Sequence, residues 1–138
     1  MNKKVIIVGG VAGGATTAAR LRRLDENAEI ILFERGKYIS YANCGLPYHV
    51  GDVIPSREHL LLQTPESLKS RFNIDVRIQQ EVTFIDRANK TVSVKNLATS
   101  QESVESYDTL VLATGSSPII PNIPGIHSKF IFSLWTVD

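Results

Sequence analysis

Lys3-Lys4 leads into Val5-Ile6-Ile7-Val8, which stops at Gly9-Gly10-Val11-Ala12-Gly13-Gly14, and no other stretch restricts the fold so much. Four β-branched residues ended by glycine read as a strand buried on both faces of a parallel sheet. Ala15 to Leu24 is rich in helix formers, with Gly14, Ala18 and Leu21 at i, i+4 and i+7. That spacing gives a small-residue face able to lie close on a sheet. Asp25-Glu26-Asn27 ends the helix, and Glu29-Ile30-Ile31-Leu32-Phe33-Glu34 reads as a second parallel strand. The order strand, glycine turn, helix, strand predicts an α/β, Rossmann-like three-layer domain built on a parallel sheet.

This context lends weight to a glycine motif that would be weak alone. Gly9 and Gly14 match the first and third glycines of GxGxxG, whereas Val11 holds the middle place. The Val11 Cβ must point away from a diphosphate or displace it. The helix N-terminus offers free N–H groups and a partial positive charge to a pyrophosphate. Glu34, 25 positions after Gly9, can accept from ribose hydroxyls and would repel a 2′-phosphate, which suits FAD or NAD better than NADP. Arg35 either flanks the adenine or is a solvated surface arginine.

From Arg35 to Gln63 the glycines and prolines are spaced so that no long regular element fits, as in a functional loop. Thr64-Pro65-Glu66 resembles a helix start, with Thr64 as cap, and the helix runs to about Phe72. Ile74 to Ile78 alternates, and Val82 to Ile85 is strand-like. Asn89-Lys90 turns into the alternating Thr91 to Val94, which suits a half-exposed antiparallel strand. Ala98 to Ser103 reads as a polar turn, Val104 to Tyr107 as the returning strand, and Leu110 to Ala113 as another buried strand. An antiparallel hairpin or meander over about 81–107 is therefore expected beside the parallel sheet. Residues 116–138, with Pro118, Pro121 and Pro124, read as extended connection.

The 138 residues carry a net charge of +1, so bulk electrostatics makes no case for nucleic acid or an anionic membrane as partner. No apolar run approaches a membrane span and no signal peptide is evident, so the expected location is the cytoplasm. His49, His59 and His127 have no ligand spacing, and no metal site is expected. Cys44 is the single cysteine. It cannot form an intrachain disulfide, so redox work by it needs a sulfur from another molecule or an oxygen adduct on the thiolate.

Four segments together carry a family resemblance. They are Gly9 to Ala15, Phe33-Glu34-Arg35-Gly36, Ser40-Tyr41-Ala42-Asn43-Cys44-Gly45-Leu46-Pro47-Tyr48 and Gln63-Thr64-Pro65-Glu66. In this order they resemble the N-terminal FAD-binding portion of coenzyme A-disulfide reductases and NADH-dependent persulfide reductases, which are pyridine nucleotide-disulfide oxidoreductases. The cysteine segment is the most specific piece, with Tyr41 where phenylalanine is usual. Position 49, a second cysteine in dithiol relatives, is His49, in keeping with a single-cysteine class.

The resemblance implies that residues 1–115 are the N-terminal part of an FAD-binding domain, with the cysteine loop at 36–63. Residues 116–138 would lead toward an NAD(P)H-binding domain, so the chain reads as part of a larger, homodimeric enzyme. It implies FAD contacts at Gly9, Gly10, Val11, Ala12, Gly13, Gly14, Glu34, Arg35, Asn43, Val82, Thr114 and Gly115. Cys44 would be the catalytic thiol, receiving electrons that pass from NAD(P)H through the flavin and forming a mixed disulfide with CoA. Thr16, Arg20 and Arg23 share one helix face and, with Ser40 and Asn43, would contact CoA or another small thiol. The plainer reading of that basic run is that it complements the helix dipole. Some relatives carry a lysine near position 72, where this chain has Arg71-Phe72. Two alternatives stand beside the reductase. One is an NADH oxidase or peroxidase cycling Cys44 through sulfenic acid, and the other a nucleotide-binding redox-sensing module without catalysis.

Overall fold

A computed structural model describes residues 2–138. β1 (Lys4–Val8), α1 (Ala12–Leu24) and β2 (Glu29–Glu34) form the expected opening unit. The two strands pair in parallel, with Lys4 opposite Glu29 and Val8 opposite Phe33. The helix starts at Ala12 rather than Ala15, because Gly13 and Gly14 belong to its first turn despite their low propensity. Tertiary contact overrides propensity here. A Cβ on Gly14 would sit 1.7 Å from the Gly9 carbonyl oxygen, so the turn closes only with glycine at this place.

The loop itself contains a short helix, α2 (Leu46–Val50), and is followed by α3 (Pro65–Phe72) and β3 (Asp75–Ile78). Thr64 caps α3 reciprocally: its Oγ1 accepts from the Ser67 N–H at 3.2 Å while its own N–H donates to Ser67 Oγ at 3.0 Å. Asn73, in the left-handed region at φ 48°, ends the helix. β3 joins β2 in parallel, and Gln79, at φ 54°, then turns the chain out of that sheet. Next follow β4 (Gln80–Asp86), β5 (Thr91–Asn96) and β6 (Glu102–Ser106), an antiparallel meander, and β7 (Thr109–Leu112). β7 returns to pair in parallel with β1, so the larger sheet has the order β3-β2-β1-β7.

The period of two in β1 and β2 builds the three layers. Val5 and Ile7 with Ile30 and Leu32 face the helices, meeting Ala18 of α1 and Leu68 of α3. Ile6, Ile31 and Phe33 face the other way onto Val92 and Val94 of β5. Each fully buried aliphatic side chain of this kind contributes about 1.5–3 kcal/mol. The fold is thus Rossmann-like α/β with an antiparallel sheet as its third layer.

Two expected boundaries move. The segment Leu110 to Ala113 is not a buried strand: β7 is an outer strand with β1 on one side only, and Leu112 is 59% exposed. The returning strand starts at Glu102 rather than Val104, because an exposed edge strand needs no apolar pattern. The turn before it is tied by Asn96 Oδ1, which accepts from the Ala98 and Thr99 N–H groups at 2.9 and 3.0 Å. Residues 116–138 carry no helix or strand, yet their end comes back to the domain: Val137 is buried against Leu46 and Leu60. Among the described residues, no helix is long and apolar enough to cross a membrane.

An ion-pair chain ties the two sheets. Glu105 on β6 accepts from Lys4 Nζ at 2.7 Å and from Arg77 Nη1 at 2.6 Å, and Arg77 Nη2 also reaches Asp75 at 2.8 Å. Burial is the largest single influence on the Glu105 carboxyl and pushes it up. The hydrogen bonds and charges of Lys4 and Arg77 outweigh that and hold it below its ordinary 4.5. A lowered carboxyl contributes stability that is fully present above the unfolded value and is lost as pH falls through the folded one. The urea midpoint is therefore expected to fall as pH drops from about 5 toward 3, and to fall less steeply in Glu105→Gln; identical slopes would contradict this role.

Candidate functional site

The site forms where the carboxyl ends of β1 and β7 lie side by side. The chain leaves β1 for α1 and β2 on one side and returns as β7 on the other, so a crevice opens at this topological switch point. Gly9 stands at its floor with φ 100°, and a Cβ there would meet the Ala113 carbonyl oxygen at 2.1 Å. Its N–H donates to the Phe33 carbonyl at 2.8 Å. Val11, at φ −88° and ψ −119°, precedes α1, whose N-terminus has no side-chain cap and no acidic residue in its first turn. Its leading N–H groups therefore remain as donors toward the crevice.

Glu34 ends β2 and is held on both sides. Its Oε2 accepts the Gly10 N–H at 2.7 Å and its Oε1 the Gly36 N–H at 2.7 Å. Each carboxylate oxygen keeps a second lone pair for a ligand hydroxyl. Glu34 thus ties the glycine turn to the start of the cysteine loop before any ligand arrives.

Gly9, Val11, Ala12, Gly13, Glu34, Arg35, Asn43, Thr114 and Gly115 line one groove of about 190 Å³. Val82 lines an adjoining pocket of about 150 Å³ that shares Gly9, Glu34, Arg35 and Thr114 with it. Gly10 and Gly14 stand behind the groove rather than on its wall. The place of a Gly10 Cβ is taken by Ile39 and Leu32, and that of Gly14 by the Gly9 carbonyl. Both shape the turn by what they lack. Backbone donors at one helix end, a carboxylate and an arginine on the walls of these adjoining pockets are the groups that a dinucleotide such as FAD requires.

The loop over 36–63 is held from beneath. Leu46 and Leu60 are buried together with Val137, and a Cβ on Gly45 would lie 2.5 Å from Leu60 Cδ2. Ala42 donates its N–H to the Leu60 carbonyl at 2.8 Å. His49 Nδ1 bonds the Ile54 carbonyl at 2.7 Å, and Arg57 donates to the Tyr38 hydroxyl at 2.8 Å. On this base Asn43–Gly45 makes a single 3-10 turn that runs directly into α2. Cys44 is exposed on that turn, next to Asn43 on the groove wall. Among the described residues, no group of three or more His, Cys, Asp and Glu could hold a metal.

A second groove, of about 410 Å³, runs between α1 and α3. Thr16, Arg20 and Arg23 line it, as the helix spacing requires, together with Ser40, Gln63, Leu68 and Phe72 from the loop and α3. Asn43 lies in the first groove instead. Ser40, at φ 45°, turns the loop between the two, and its N–H donates to the Gly10 carbonyl at 2.9 Å.

Some wall residues escape sequence reading. Tyr41 lines the first groove; burial pushes its phenol above the usual 10.0, and the charges of Glu34 and Asp138 push it the same way. Its hydroxyl stays protonated at neutral pH and can donate. Its place between Ser40 and Asn43 is the one signal that could have marked it. Trp135 and Thr136 also line this groove, and the Trp135 indole N–H donates to the Ser116 carbonyl at 3.1 Å. No local pattern announces them, because their approach depends on the path of the preceding twenty or so residues.

The family described as pyridine nucleotide-disulphide oxidoreductase matches residues 3–138. A coenzyme A disulfide reductase of Staphylococcus aureus (strain MRSA252) is 44% identical over 135 residues, which are 98% of this chain and 30% of that protein. The structure of reduced Bacillus anthracis CoADR-RHD superposes with a TM-score of 0.87 at 54% identity, over 91% of this chain and 23% of that one. An NAD-dependent persulfide reductase from A. fulgidus gives a TM-score of 0.89 at 39% identity, over 95% and 24% of the respective chains. The chain thus spans under a third of each.

Replacing Glu34 by Gln leaves one of the two glycine N–H groups facing an amide N–H₂. Glu34→Gln should lower stability by roughly 1–3 kcal/mol in the absence of any nucleotide, read from urea unfolding. An unchanged midpoint would mean that Glu34 serves the ligand alone.

Proposed function

Because the chain belongs to the pyridine nucleotide-disulphide oxidoreductase family, we propose that it is the FAD-binding and thiol-bearing part of an NAD(P)H-dependent enzyme that reduces CoA disulfide or a related persulfide through Cys44. The observation that supports this best is the adjacency on one turn: Asn43 lines the dinucleotide groove and the next residue presents the only thiol to the outside. The reductase and the persulfide reductase named above are relatives on which the substrate class rests.

In this reading the N-terminal N–H groups of α1 receive the diphosphate, while Glu34 takes ribose hydroxyls and Arg35 flanks the adenine. Val82 closes the adenine end, and Thr114 and Gly115 flank the far wall. Bound FAD would supply two-electron exchange between NAD(P)H and the cysteine. Thr16, Arg20, Arg23 and Ser40 hold the phosphates and amides of the thiol substrate in the second groove, with Asn43 at the junction. The Cys44 thiolate attacks one sulfur of the disulfide; the S–S bond breaks, one CoA thiolate leaves, and a Cys44–CoA mixed disulfide forms. The enzyme would act in the cytoplasm as a homodimer, and it requires a nicotinamide-binding unit in addition to the residues seen here.

Mass spectrometry separates this chemistry from its rival. Incubation with CoA disulfide should add one CoA to the wild-type chain and none to Cys44→Ser. In the protein as isolated, a single oxygen on Cys44 and no CoA adduct would instead favour an oxidase or peroxidase cycle, in which a peroxide oxidises the thiolate to sulfenic acid. In the full-length enzyme, Cys44→Ser should abolish disulfide reduction with FAD still bound; retained turnover would defeat the assignment.

A further inference from the structure

Arg22 lies on α1 but off the face that carries Thr16, Arg20 and Arg23, and it lines neither groove. Its guanidinium nevertheless makes four hydrogen bonds, all to carbonyl oxygens at helix ends. Nε donates to Phe72 at 2.7 Å and Nη2 to Asn73 at 3.0 Å, at the end of α3. Nη1 donates to Glu26 at 2.6 Å and Asp25 at 3.2 Å, just past the end of α1. The last carbonyls of a helix lack intrahelical partners and carry partial negative charge, so one planar cation satisfies two helix termini at once.

The consequence falls on the groove between those helices. Phe72 forms part of its apolar wall, while Arg20 and Arg23 of α1 supply its positive charge. The carbonyl of that same Phe72 is what Arg22 Nε holds. Leu21 and Phe72 rest on the same core cluster as Leu68, and Arg22 adds a polar tie at the Phe72 and Asn73 carbonyls, where α3 ends beside the groove.

We propose that Arg22 is a positioning residue for the α1–α3 groove, clamping the ends of both helices so that Phe72 stands at a set distance from Arg20 and Arg23. The proposal rests on reading that groove as the seat of a phosphate-bearing thiol such as CoA. The ligand's phosphates would meet Arg20 and Arg23 while an apolar or planar part lies on Phe72. Arg22 itself touches no ligand. Lysine cannot take its place, because an ammonium is a point donor and cannot span two pairs of carbonyls as a planar fork does.

The test is calorimetric titration of CoA into the wild-type chain, Arg22→Lys, Arg22→Gln and Arg23→Gln, with crystal structures of the wild type and Arg22→Gln. Expected are a weakening of CoA binding by about tenfold or more in both Arg22 variants, and a displaced α3 C-terminus in Arg22→Gln. Wild-type affinity in Arg22→Lys would show that charge rather than the clamp matters, and would overturn the proposal. So would an α3 that stays in place in Arg22→Gln. Should Arg22→Gln fail to fold, Arg22→Lys, which retains the charge and part of the bonding, decides by its affinity and its own crystal structure. No CoA binding by the wild type, with Arg23→Gln no different, would sink the reading of the groove. The position of α3 would then still judge the clamp by itself.

Discussion

The close approach of α1 to the turn before it is the contact on which the rest depends. At Gly14 the helix backbone comes so near the Gly9 carbonyl that even a methyl group would overlap it. This contact brings the helix N-terminus to the carboxyl edge of the sheet, and Gly9 repeats the device against Ala113 of the segment after β7. Two missing side chains therefore decide where a groove opens and which backbone donors face it. Glu34 completes the arrangement, since its two oxygens join the turn to the loop that carries Cys44.

A second dependence runs through the loop itself. Residues 36–63 have only short helical turns, yet they are not without a core: Leu46, Leu60 and Val137 make a small apolar cluster beneath the cysteine turn. Gly45 lets the turn sit on Leu60. The thiol is thereby exposed on a base that is itself packed, a suitable combination for a group that must meet a substrate at a defined place. The end of the tail shares in this, because Val137 belongs to the cluster while Trp135 and Thr136 wall the neighbouring groove.

How much could be read in advance differs by residue. β1, β2, α3 and its Thr64 cap follow from local patterns, since each depends on side chains within a few positions. The stripe of Thr16, Arg20 and Arg23 was likewise legible, because helical geometry alone aligns it. α1 began earlier than propensity suggests, for the penalty of two glycines is offset by the approach they permit. β7 is partly exposed although its run is apolar, because an apolar run states that a strand can be covered, not that something covers it. The role of Arg22 is not legible locally, because its partners at Phe72 and Asn73 lie about fifty positions away.

The order of residues by itself determined the βαβ opening, the glycine turn, the acid at the end of β2 and the lone thiol, because these rest on spacings of two and of 3.6 and on the reach of a short turn. Tertiary structure alone decided that Gly10 and Gly14 stand behind the groove and that Glu34 is already bonded on both sides. It also decided that Tyr41 and Trp135 wall the groove and that Arg22 joins two helices. Those facts depend on which distant segments come to rest against each other, and no local pattern carries that information.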